Sequence, residues 1–230
     1  MKTLKNRILP LIIIVLVFNS CGIFKTHHKD KLIDFENNQI PKNSLKLNGY
    51  YFAELESENK KFNKVYGKKI KYLSVIFIYE DGFIITKSFN GLSNYYCAKN
   101  KAHQNTYESA HKALKLMLES KNSKERKIKR ICSFKPKDIM NKGLAKIQSD
   151  NLKIQFYQIE SQNPKMDSNN SAYLYELNGI IKSDSSFVIK SKTRFRNGTK
   201  KTKNILYKFR QTDNIPNIEN YFKKNKKRFK

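Results

Sequence analysis

The sequence has no tryptophan, and its 230 residues hold only 3 cysteines, 5 prolines and 8 glycines. So few cysteines exclude a disulfide-dense scaffold, and so little glycine and proline excludes collagen-like and low-complexity chains. Acidic residues are scarce as well. Against 47 Lys and Arg stand 19 Asp and Glu, for a formal net charge of +28. Only one long apolar run exists, from Ile8 to Phe18, which excludes a protein that crosses a membrane with several helices. Aromatic residues, in contrast, are plentiful. The 13 Tyr and 15 Phe supply ample apolar surface for a core, which excludes a disordered chain. The length suits one domain with appendages.

The start of the chain reads as an address. Lys2, Lys5 and Arg7 precede the apolar run, which Pro10 interrupts. Spanning a bilayer takes roughly 20 apolar residues, so this shorter run reads as the charged and apolar regions of a secretory leader. Phe18-Asn19-Ser20-Cys21 resembles the lipobox of bacterial lipoproteins, with Phe18 where that family usually carries Leu. The resemblance implies that residues 1–20 are removed and that Cys21 is lipidated, palmitate being one such chain. More than one acyl chain makes attachment effectively stable. Gly22, rather than Asp, resembles the pattern sorted to the outer membrane. An ordinary cleaved leader and an uncleaved single anchor are the alternatives.

With Cys21 carrying lipid, Cys97 and Cys132 form an even pair in a compartment that permits disulfides. A bridge between them would contribute about 4 kcal/mol in the chain-entropy account; two buried free thiols are the alternative. His27, His28, His103 and His111 show no metal-ligand spacing and are expected as surface residues. No metal and no cofactor are expected.

Beyond Cys21, residues 21–44 are polar and charged and read as a flexible tether. Residues 45–222 read as a single β domain and 223–230 as a basic tail. Strand signals dominate the domain. Leu47–Glu54 is aromatic-rich. Ile70–Tyr79 is apolar on both faces and Phe83–Phe89 continues beyond Glu80-Asp81-Gly82, a hairpin turn. A strand apolar on both faces needs cover on both. One cover is the core, and a helix over about 105–120 supplies the other. There Tyr107, Ala110, Leu114, Met117 and Leu118 share a face, and Asn105 with Glu108 resembles a capping box. Lys127–Phe134 reads as a strand and Pro136–Gly143 as a short helical turn. Strands follow at Leu144–Gln148, Leu152–Ile159, Ala172–Ile181, Ser186–Lys192 and Ile205–Arg210. Asn197-Gly198 reads as a type I′ turn.

This pattern predicts a mainly β fold, an antiparallel meander of about eight or nine strands. Closure into a barrel with the helix packed outside would remove the unpaired edges; a two-sheet sandwich is the alternative. Four stretches, Leu47–Tyr51, Phe77–Gly82, Leu177–Ile181 with Asp184–Phe187, and Tyr207–Arg210, resemble small lipoproteins of AT-rich Gram-negative bacteria with lipocalin-like barrels. The resemblance implies a barrel and an envelope location, and no activity.

No nucleophile elbow, phosphate loop, metal signature or paired carboxylates stand out, so the chain is not expected to be an enzyme. An eight-stranded barrel can hold one small ligand, and Tyr173, Tyr175, Phe187, Tyr207 and Phe209 are the candidate lining for a lipophilic one. The alternative role is an envelope scaffold. Lys223, Lys224, Lys226, Lys227, Arg228 and Lys230 would then contact anionic lipid, lipopolysaccharide or a protein partner. A secreted, tethered protein rarely meets nucleic acid, and Lys outnumbers the Arg that base reading favours.

Overall fold

The computed structural model describes residues 25–58, 60, 63–64, 67–90, 92, 104–132, 134, 138–161 and 170–229. Nine strands form one sheet: β1 (Lys25–Thr26), β2 (Gly49–Glu56), β3 (Lys71–Ile78), β4 (Phe83–Asn90), β5 (Lys142–Gln148), β6 (Asn151–Ser161), β7 (Asn170–Ser183), β8 (Ser186–Arg194) and β9 (Thr199–Gln211). From β2 to β9 each strand pairs antiparallel with the next, and β9 returns to pair with β2. The meander therefore closes into an eight-stranded barrel, which decides against the sandwich and leaves no long edge unpaired. The ninth strand, β1, adds in parallel to the start of β7, with Lys25 opposite Ser171 and Thr26 opposite Ala172.

The alternation of β3 builds two cores. Ile76 and Ile78 face the barrel interior with Tyr51, Ile84, Ile154 and Phe187. Leu73, Val75 and Phe77 face outward beneath helix α1 (Tyr107–Glu119), whose Ala110, Leu114 and Met117 pack on them. The helix thus covers the β3–β4 hairpin, as an apolar outer face demands. Its cap is Thr106, whose side chain accepts from the Ser109 N–H. Asn105, the expected cap, instead bonds the backbone of Lys69 and Lys71 and ties the helix start to β3.

Three sequence expectations fail here. Residues 25–44 are not a free tether. They run as a strap along the outside of the barrel, burying Ile33 and Phe35, and then enter its interior at Ile40. Gln155 holds the strap with its side-chain amide, accepting from the Ile33 N–H (2.7 Å) and donating to the Lys31 carbonyl (3.0 Å). The tail is likewise docked. Residues Tyr221–Lys224 (α3) and Lys226–Phe229 (α4) are helical, and Phe222 and Phe229 join the outer core beside Phe35 and Tyr157. Lys127–Phe134 is not a strand, because Arg126–Ile131 is helix α2. Ile128 and Cys132, four residues apart, meet in a small cluster, a helical spacing.

Two local expectations change in detail. Gly143 lies inside β5 rather than past a helical turn. A Cβ there would come within 1.9 Å of the Gln155 carbonyl oxygen, so the missing side chain lets β5 and β6 approach. At Asn197-Gly198 the hairpin is present, but Phe195–Asn197 forms a 3-10 turn closed by Gly198 at φ 65°.

Candidate ligand cavity

The two ends of the barrel differ. At one end the strap continues into Ile40 and Leu45, which fill the interior together with Ile78, Ile147 and Phe187. The Tyr51 hydroxyl donates to the carbonyls of Lys46 and Asp184 and stitches this plug to the β7–β8 turn. Ile40 also donates to the Glu80 carbonyl, and Asn38 to that of Ala145.

At the other end the described residues leave the interior unfilled. This end is formed by the ends of β2, β4, β6 and β8 and the starts of β3, β5, β7 and β9. A cavity of about 330 Å³ lies behind this mouth, within the range of small-molecule sites. Ile76, Phe156, Leu177 and Ile189 supply its apolar part, and Ser74, Thr86, Asn141 and Gln158 its polar part. The Ser74 and Tyr207 hydroxyls pair at 2.8 Å, and burial pushes the Tyr207 phenol up to about 12.

Charge gathers at the mouth. Lys192 lines the cavity with its ammonium over the rings of Tyr175 (4.6 Å) and Phe156 (5.9 Å). Burial, with Lys203 and Lys201 nearby, lowers its pKa. Lys203 pairs with Glu58 at 3.6 Å. On the rim Glu160 accepts from Tyr175, Arg194 and Arg196. Burial alone would raise that carboxyl, but these three donors hold it down to about 2.

Ile189 and Lys192 both line the cavity although they are three residues apart. In a regular strand that odd spacing puts them on opposite faces. The register shift between Ile189 and Ser191 in the β8–β9 pairing turns Lys192 inward, as a bulge does.

The five expected lining residues separate. Tyr207 borders the cavity. Tyr175 lies beneath Lys192. Phe187 stacks on Tyr207 and packs with Tyr51, as does Phe209, on the filled side. Tyr173 sits at the rim between His27, stacked at 4.6 Å, and Arg196 at 4.8 Å. His27 and His111 are therefore not free surface residues. His111 packs on Tyr50 and Phe52 under the helix, and burial lowers its pKa to about 4.

The expected anionic contacts are mostly engaged within the chain. Lys223 pairs with Asp81, Lys224 with Glu219 and Lys226 with Glu36, while Arg228 reaches Tyr221 and Thr26. Lys227 is exposed. Cys21, Cys97, His103 and Lys230 lie outside the described residues; Cys132, the other half of the expected bridge, is buried. Among the described residues no three His, Cys, Asp or Glu side chains group as metal ligands, and no helix is long and apolar enough to cross a membrane. No protein-family model, curated protein or solved structure matches the chain.

Proposed function

We propose that the chain is a non-catalytic envelope lipoprotein, anchored through Cys21, whose barrel holds a small amphiphile with an anionic head. Lys192 carries this reading. Its ammonium is drawn into the mouth of a cavity with an apolar floor and rests on aromatic rings. A carboxylate or phosphate at that point would gain a charge-assisted hydrogen bond in a poorly hydrated site. The apolar part of the ligand would cover Ile76, Leu177 and Ile189. The size favours a short chain over a whole phospholipid, because the far end is packed with Ile40 and Leu45.

Calorimetric titration with a short-chain fatty acid and with the alcohol of the same chain length tests the proposal. The folded chain is expected to bind the acid more tightly. Lys192→Met is expected to weaken acid binding by roughly tenfold or more and to leave the alcohol unchanged. Absence of saturable binding, or equal loss for acid and alcohol, would overturn it.

A further inference from the structure

The hairpin that joins β8 to β9 is strongly basic. From Lys192 to Lys203 it carries Lys192, Arg194, Arg196, Lys200, Lys201 and Lys203 and no acidic residue. Among the described residues Glu160 pairs with both arginines and Glu58 with Lys203. Among the described residues, six cations against these two carboxylates leave an excess of 6 − 2 = +4. Lys200 and Lys201 are exposed.

The start of the described chain lies beside this hairpin. The His28 ring is 5.8 Å from that of Phe195 at the hairpin turn, and Arg196 packs on the Tyr173 ring that His27 covers. Strand β1 meets β7 at Ser171 and Ala172, the mouth end of that strand. Lys25 follows Cys21 by four residues, a reach of at most about 14 Å at full extension. A lipid on Cys21 would thus hold the rim of the mouth near the bilayer, with the basic hairpin next to it.

We propose that the β8–β9 hairpin docks on an anionic lipid surface and turns the mouth of the barrel toward the membrane. The orientation rests in part on the envelope reading above; the charge complementarity of the hairpin does not. A mouth presented to the bilayer exchanges an amphiphile without passing it through water, which connects this surface to the cavity.

Vesicle sedimentation tests the proposal on residues 22–230, without acyl chains, so that the anchor contributes nothing. Phosphatidylglycerol-containing vesicles are compared with pure phosphatidylcholine. Binding is expected only to the anionic vesicles and is expected to fall with added salt. Lys200→Gln with Lys201→Gln is expected to weaken it roughly tenfold. Lys182→Gln with Lys208→Gln makes the same charge change at the plugged end and is expected to leave it within about twofold. Equal losses from the two pairs would overturn the assignment. So would retention on an immobilised polyanion with no binding to vesicles, which would point to an acidic macromolecule instead. Fatty-acid titration of the same chains separates the two proposals. Intact cavity binding with failed docking overturns only this one, and the converse only the other.

Discussion

Phe222→Ala tests whether the end of the chain is part of the folded domain. The ring is fully buried, with centroids 5.0 Å from Phe229, 5.8 Å from Tyr221, 6.2 Å from Tyr157, 6.3 Å from Phe35 and 6.4 Å from Phe83. Burying a Phe side chain contributes about 1.5–3 kcal/mol. Truncation also leaves a void and deletes edge contacts that add about 0.5–1.5 kcal/mol per aromatic pair. The expected loss is about 3–5 kcal/mol, or a fall in Tm of about 10 °C for a domain of this size. Urea unfolding followed by circular dichroism should show a lower midpoint with an unchanged slope. Because Phe222 touches Phe35, limited proteolysis should also cut faster at Lys29 and Lys31 in the strap. Lys227→Gln, on the exposed side of the same segment, should change stability by less than about 0.5 kcal/mol. A Phe222→Ala protein within about 0.5 kcal/mol of the parent would refute the docked segment and restore a free basic tail.

Glu160 should make the fold acid-sensitive. Its carboxyl titrates near about 2 when folded, against an ordinary 4.5, so the stability it contributes is present above about 4.5 and is lost as pH falls toward 2. Glu160→Gln should cost about 1–3 kcal/mol at neutral pH and flatten the fall in Tm on acidification. An equally steep fall in the variant would show that the rim network is not formed. Gly143→Ala should destabilise by about 1–3 kcal/mol or more, because the new Cβ would meet the Gln155 carbonyl at 1.9 Å and the Phe156 Cα at 2.7 Å. Urea midpoints decide this, and an alanine variant as stable as the parent would mean that β5 and β6 are spaced more widely than described.

Long-period apolar patterns transmitted the architecture well. The two apolar faces of residues 70–79 demanded two covers, and both are present, the barrel interior on one side and α1 on the other. The strap and the tail were illegible for a common reason. Each buries few residues, such as Ile33, Phe35 and Ile40 in one and Phe222 and Phe229 in the other, too few among the charges to establish a repeat. Such segments dock through isolated anchors and through partners distant in sequence. Gln155 receives the strap, and Asp81 receives both Asn220 and Lys223. No local pattern announces a partner more than a hundred residues away.

The cavity was hidden differently. Alternation assigns inward residues correctly only while the register is unbroken. Along β7 and β9 it pointed to Tyr175 and Tyr207, which do face inward. Along β8 the shift after Ile189 reverses the faces, so that Lys192, which unbroken alternation from Phe187 and Ile189 would put on the opposite face, turns into the mouth. Aromatic content was also the wrong guide to hollowness. Large rings fill a barrel, and Phe187, Phe209 and Tyr51 do so at the plugged end. The space lies where Ser74, Thr86 and Ser88 interrupt the inward apolar rows of β3 and β4. Short hydroxyl side chains on an otherwise apolar inward face were the available signal. They mark where a barrel of this strand number stops being packed by its own residues and has room for something else.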